Sequence, residues 1–155
     1  MKELKPVDTG GSADAIHAAA FHKELETDVL ARTLWGEARG EGTEGMQAVA
    51  CVVMNRVRRG GWWGDSVIAV CQKPFQFSCW NQDDPNLPQM RAVTAERDPS
   101  FATALRVARR AIYGAIDDIT GGADHYHAAG IMPYWARGEK PVAVIGNHIF
   151  YALNR

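Results

Sequence analysis

Residues 30–57 read LARTLWGEARGEGTEGMQAVACVVMNRV. Two apolar helical patterns flank a break rich in glycine and glutamate. Leu30 and Leu34 lie four apart, and the first pattern runs from about Glu24 to Arg39, where Gly40 interrupts it. In the second, Met46, Val49, Ala50, Val53, Met54 and Val57 recur at helical spacing. Thr43 stands where an N-cap belongs, Glu44 suits the positive end of the helix dipole, and Gly60 and Gly61 stop the helix. Small and apolar residues continue around the other faces (Ala48, Cys51, Val52), which predicts a central, buried helix.

Outward from this stretch the chain divides simply. Residues 1–23 read as a weakly ordered arm, with Gly10, Gly11 and Ser12 in a flexible composition. Residues 24–155 read as one domain. A short helix is expected from Asp65 to Cys71. Residues 72–98, with Pro74, Pro85 and Pro88 among aromatics and amides, read as a long loop of the kind that carries function. Asp98 then caps a helix with Pro99 at its first position and a buried stripe of Phe101, Leu105, Ala108 and Ile112. After the break at Gly121 and Gly122 the period changes. His125 and its neighbours fit a short strand. Val142 and Val144 alternate into a Gly146-Asn147 turn that leads to His148–Leu153, a hairpin signal. The fold class is α+β, mainly α, with a small β element.

Composition sets outer limits. The chain has 155 residues, 46% hydrophobic and 23% charged, with a net charge of -1. That is one ordinary globular domain with its own core. No global basic field points to nucleic acid or an anionic membrane. Arg56, Arg58 and Arg59, and again Arg106, Arg109 and Arg110, read as solvated helix faces. Three cysteines in no C-x-x-C spacing do not form a disulfide framework. Cys51 reads as buried packing, and pairing of Cys71 with Cys79 stays open. No apolar run approaches a membrane span, and Met1 to Asp14 is too polar for a leader. The expectation is synthesis in the cytoplasm, without stable membrane insertion.

The chemistry concentrates at LWGEARGEGTEG, residues 34–45, which sets Glu37, Glu41 and Glu44 at the junction of the two helices. Glu37 follows Leu34, Trp35 and Gly36 at the end of an apolar helix. A carboxyl desolvated there has a raised pKa, as a general acid at neutral pH requires. A solvated acidic cluster is the other reading of the same residues.

The stretch quoted at the outset resembles the signature of the SleB-type cell wall hydrolases, the family of spore-cortex-lytic enzymes and many phage lysins. KPFQFSCWN (73–81), GGADHYHAAGIMPYWA (121–136) and VIGNHIFYA (144–152) resemble its later motifs, in order. The resemblance covers about residues 24–153. It implies a lysozyme-like fold and cleavage of the β-1,4 bond between N-acetylmuramic acid and N-acetylglucosamine, with Glu37 as catalytic acid. Related members are lytic transglycosylases, which yield 1,6-anhydro products with a single carboxyl. A two-acid hydrolase needs a partner at a set distance, for which Glu41, Glu44, Asp83 and Asp84 are available. No cofactor or metal is implied.

Sugar contact is expected from Gln76, Phe77, Ser78, Trp80 and Asn81, since aromatic faces stack on pyranose rings and amides and hydroxyls read their substituents. Tyr126 resembles the tyrosine that lines the transglycosylase cleft opposite the acid, and its phenol can donate to an acetamido group or to the glutamate. His127 stands where some members have asparagine, and joins the expected substrate contacts. A core tyrosine is the alternative for Tyr126. Trp135, Trp62 and Trp63 read as packing or cleft wall.

Three functions compete. The first is a muramidase or lytic transglycosylase working on peptidoglycan glycan strands. A phage or prophage endolysin released through holin pores fits the leaderless N-terminus. The second is a metal-dependent wall amidase using His125, His127 and His148, since alternate residues of a strand share a side. The third is a non-catalytic wall-binding or virion component.

Overall fold

The computed structural model describes residues 9–153, with side chains from residue 12 onward. Its first helix, α1, spans Thr9–Ala38. From Thr27 onward α1 enters the core, where Leu30, Ala31, Leu34, Trp35 and Ala38 are buried. Residues 12–25 are exposed. The expected weakly ordered arm over 1–23 is thus replaced, over its described part 9–23, by continuous helix; residues 1–8 lie outside the described residues. The run AIHAAAF contains strong helix formers, and a helix already nucleated by packing propagates through them at little cost.

A 3₁₀ turn at Arg39–Glu41 leads into α2, Gly42–Arg59. Thr43 is therefore inside the helix, and Glu41 occupies the cap without a side-chain cap bond. The Glu41 carboxylate is engaged elsewhere, accepting from the Asn147 amide at 3.2 Å. Gly60 ends α2 at φ 64°, a left-handed turn that favours glycine.

The uniformly apolar surface of α2 has a physical explanation: it serves two cores. Val49, Ala50 and Val53 pack with Leu30, Leu34, Phe101 and Ala108. Ala48 and Val52 pack with Ala123, Ile145 and Phe150. Each fully buried Leu, Val or Phe contributes roughly 1.5–3 kcal/mol over exposure.

Helix α3, Val67–Cys71, is capped by Ser66, whose hydroxyl accepts from the Ala69 amide at 3.1 Å. The expected long loop over 72–98 is interrupted by α4, Leu87–Ala92, which buries Leu87 and Met90. Pro88 does not oppose it, because the first turn of a helix needs no proline N–H. Helix α5, Pro99–Ile112, starts as expected, with the Asp98 carboxylate accepting from the Phe101 amide at 3.0 Å. Its buried stripe is Phe101, Ala104, Val107, Ala108 and Ala111. Leu105 and Ile112 are only partly buried at its margin.

Strands β1 (His125–Ala128), β2 (Ala143–Ile145) and β3 (His148–Tyr151) form an antiparallel sheet in the order β1-β3-β2. His125 pairs with Tyr151, Tyr126 with Phe150, His127 with Ile149 and Ala128 with His148. Paired residues share a face. Tyr126, His148 and Phe150 thus face α2, while His125, His127 and Tyr151 lie on the opposite face.

Candidate active site

Glu37 sits in the last turn of α1, half-buried. Gly36 makes its surroundings possible. A Cβ at that position would stand 2.6 Å from the Cys79 Cβ and 3.2 Å from the Met90 sulfur. Only glycine lets the 3₁₀ turn Ser78–Trp80 press this close to α1. Cys79 is thereby delivered to the carboxyl.

Burial raises the pKa of Glu37 above the ordinary carboxylate value. Hydrogen bonding from the side chain and backbone of Cys79 opposes that rise, Asp84 reinforces it, and Arg56 opposes it. The Cys79 thiol is itself held protonated, by burial and by the charge of Glu37, so it acts as a donor. All three cysteines are free thiols, so Cys71 and Cys79 do not pair.

Two further groups are coupled by charge to Glu37. Tyr126 arrives from β1, half-buried between the two cores. Burial, then the charge of Glu37, pushes its phenol well above the ordinary range, so the hydroxyl stays a donor at all working pH. Arg56 arrives from α2 and is 6% exposed. Its Nε donates to the Asp124 carbonyl at 2.8 Å, and its guanidinium lies 4.0 Å from the Trp63 ring centroid and 5.2 Å from that of Phe77. Its Nη1 is buried without a hydrogen-bond partner. Burial lowers its pKa to about 10, which still leaves it a cation at neutral pH. Reading Arg56 as part of a solvated face is corrected here. It lies three residues after Val53 and seven after Val49, on the apolar stripe. That spacing was the available signal.

The loop residues divide. Phe77 is 2% exposed and belongs to the core, so it offers no face to a sugar; its expected substrate role is corrected. Ser78 is exposed, and Gln76, Trp80 and Asn81 are half-exposed. The Trp80 indole donates to the Thr33 hydroxyl at 2.9 Å. Thr33 is four residues before Glu37, so Trp80 is fixed about one helical turn from the acid, some ~6 Å along α1.

His127 is corrected as well. It points to the sheet face opposite Tyr126 and is 8% exposed. Nδ1 lies 2.8 Å from the Ala128 carbonyl, which only accepts, so that nitrogen carries the proton and Nε2 accepts from the Tyr151 hydroxyl at 2.9 Å. Trp135 closes over it, 5.7 Å away between ring centroids. The same geometry separates the histidines of the metal reading, because His148 faces α2 and His125 and His127 do not. His125 is instead bonded to Asp124 at 2.8 Å.

The carboxylates considered as partners for Glu37 also separate. Glu41 is engaged with Asn147, while Glu44 and Asp83 are exposed. Asp84 is the one whose charge acts on Glu37. A cavity of about 60 Å³ bounded by Gly36, Cys79 and Asp84, among others, has room for water.

Residues 40–151 match a family model described as Cell Wall Hydrolase. Spore cortex-lytic enzymes of Halalkalibacterium halodurans and Oceanobacillus iheyensis are each 29% identical over 147 residues, a match taking in 92% of this chain. It takes in 39% and 47% of those proteins, so the chain spans less than half the length of these curated relatives. The catalytic domain of the Bacillus cereus SleB protein is similar at a TM-score of 0.65 and 27% identity, over 83% of this chain and 90% of that one. The catalytic domain of the germination-specific lytic transglycosylase SleB from Bacillus anthracis gives 0.64 and 28%, over 81% and 93%. The expected fold, mainly helical with a small sheet and lysozyme-like, is the observed one.

Proposed function

The chain belongs to the cell wall hydrolase family, and from that membership we propose that it degrades peptidoglycan by cleaving the β-1,4 bond between N-acetylmuramic acid and N-acetylglucosamine, as a lytic transglycosylase. Glu37 is its acid and base. The protonated carboxyl gives its proton to the glycosidic oxygen as the bond to the anomeric carbon breaks. The resulting carboxylate takes the proton of the muramic 6-hydroxyl, whose oxygen closes onto the anomeric carbon. Glu37 ends the cycle protonated, no water is consumed, and the new end is a 1,6-anhydro ring.

The observation that carries this reading is the half-buried Glu37 carboxyl, protonated more readily than an ordinary glutamate and subject to the charge of Arg56, with the Cys79 donors against it. Burial keeps the acid form available, and Arg56 with the Cys79 donors stabilises the carboxylate once the proton has gone. Tyr126 supplies a phenol that stays protonated, suited to an acetamido oxygen or to Glu37 itself. Ser78, Gln76, Trp80 and Asn81 supply sugar contacts along the same side.

A second reading, hydrolysis with Asp84 as the base, draws support from the charge of Asp84 acting on Glu37 and from a cavity beside Asp84 with room for water. Digestion of purified wall in ¹⁸O-water, with mass spectrometry of the released muropeptides, decides between them. Unlabelled anhydro ends are expected. Labelled reducing ends as the main product sink the transglycosylase reading and turn attention to Asp84.

A further inference from the structure

Phe75 is the odd residue of the loop. It is 89% exposed and its backbone sits at φ 65°. Side chains with a Cβ disfavour that region, and bulky ones most of all. An aromatic ring held in water on a strained backbone is doubly unfavourable for folding, and such outliers concentrate where ligands bind. The turn places this ring on the wall of a cavity of about 710 Å³, within the size range of small-ligand sites.

The rest of the wall identifies a ligand chemistry. Trp80 presents a second aromatic surface, immobilised by its bond to Thr33. Gln72, Asn81 and Gln82 supply side-chain amides. The two charged lining groups, Lys73 and Asp83, are opposite in sign, so the cavity selects no ionic ligand. Aromatic faces with amides and without net charge fit a neutral ring that carries hydroxyls and an acetamido group.

We propose that this cavity is a glycan subsite, away from the point of cleavage, in which Phe75 is the stacking platform for an N-acetylated pyranose. The proposal rests on the glycan-cleaving reading of Glu37 for its biological sense. The subsite's link to the acid is Trp80, whose indole bonds Thr33, four residues before Glu37 on α1. Contacts there act alike on bound substrate and transition state, so they set KM more than kcat.

The test separates binding from cleavage. An N-acetylglucosamine tetramer is titrated into the intact Glu37→Gln protein and followed by tryptophan fluorescence, then into the same protein carrying Phe75→Gly or Phe75→Trp. Glycine removes the ring and relieves the backbone, so the melting temperature should equal or exceed that of the parent. Affinity should fall about tenfold with Phe75→Gly and survive in Phe75→Trp. In proteins with Glu37 intact, Phe75→Gly should raise KM for glycan strands and leave kcat nearly unchanged. Unchanged affinity in Phe75→Gly overturns the subsite, as does a Phe75→Gly protein that melts well below its parent, because Phe75 would then serve folding. The cleavage reading stands or falls separately, on the activity of Glu37→Gln and on the muropeptide products.

Discussion

Asp124 and Glu37 are acidic side chains drawn toward the interior of this protein, and their treatment is opposite. Asp124 is nearly fully buried and satisfied on all sides. It accepts from the Arg59 guanidinium at 2.9 Å, from His125 at 2.8 Å and from the Leu153 amide at 2.9 Å. Glu37 has the Cys79 donors, a repelling Asp84 and a cation, Arg56, whose Nη1 remains unpartnered. The first arrangement fixes the Asp124 side chain as a strut between three donors. The second leaves a carboxyl whose proton can be exchanged. Both sites use the same backbone segment, since Arg56 bonds the Asp124 carbonyl and Tyr126 follows two residues later. The strut anchors the chain at Asp124, immediately before β1.

The comparison predicts opposite outcomes for removing each charge, and the largest is at Glu37. Glu37→Gln should lower wall lysis by about 10²-fold or more, because no transferable proton remains. It should also stabilise the fold at pH values above the folded pKa of Glu37. A carboxyl whose folded pKa is raised contributes stability only while protonated; that contribution is complete below the unfolded pKa and is lost as pH rises through the folded value. Above its folded pKa the wild type therefore carries a desolvated charge that glutamine lacks. The melting-temperature advantage of Glu37→Gln should shrink on acidification toward pH 4. A folded Glu37→Gln protein with near wild-type lysis removes Glu37 from the mechanism.

Asp124→Asn should behave inversely. Breaking a buried, ion-paired carboxylate costs on the order of 3 kcal/mol, visible as a shift of the urea midpoint. Turnover per folded molecule should change little by comparison. A variant that melts like wild type but has lost activity would make Asp124 part of the chemistry and erase the contrast.

How much of this was legible in the sequence follows from periodicity. Helix α2, the Asp98-Pro99 start of α5 and the Gly146-Asn147 hairpin all declared themselves through spacing or turn chemistry. Glu37 stood out through its neighbours and its motif. Phe75, Phe77 and Trp80 did not sort themselves, because an irregular segment has no period to say which ring turns inward. The structure buries Phe77 and exposes Phe75. Helix α4 was hidden by Pro85 and Pro88, read as loop residues when Pro88 stands in a first turn. Arg56 and His127 were readable in principle. Arg56 lies on the stripe of Val49 and Val53, and the strand period already forbids Tyr126 and His127 from sharing a face.

A smaller effect is expected at Arg56. A general acid is active while protonated, so the alkaline limb of kcat/KM reports the Glu37 pKa in the free protein. Arg56 lowers that pKa, so Arg56→Met should move the alkaline limb to higher pH. The position of the limb does not depend on how much protein is folded, which separates this role from packing between Trp63 and Phe77. A limb that stays in place while the melting temperature falls would make Arg56 structural only.

The smallest effect, and the sharpest test of the two environments, lies in adjacent residues. Tyr126 and His127 are neighbours on β1 with opposite orientations. Tyr126 feels the charge of the under-compensated carboxyl. His127 is closed in by Trp135 and Tyr151 with both ring nitrogens engaged. Tyr126→Phe deletes one donor and keeps the ring that packs 5.6 Å from Phe150, centroid to centroid. It should lower kcat/KM by about tenfold, the equivalent of about 1.4 kcal/mol and of one net hydrogen bond, with little loss of stability. His127→Asn should do the reverse. It loses the partner of the Tyr151 hydroxyl, so stability should drop by about 1 kcal/mol, while kcat/KM per folded molecule stays within about twofold. Measuring both variants on the same wall preparation, with melting curves alongside, assigns each face of the strand its role. If His127→Asn loses activity and Tyr126→Phe does not, the glycan contacts the outer face of the sheet and the site lies on the other side of β1.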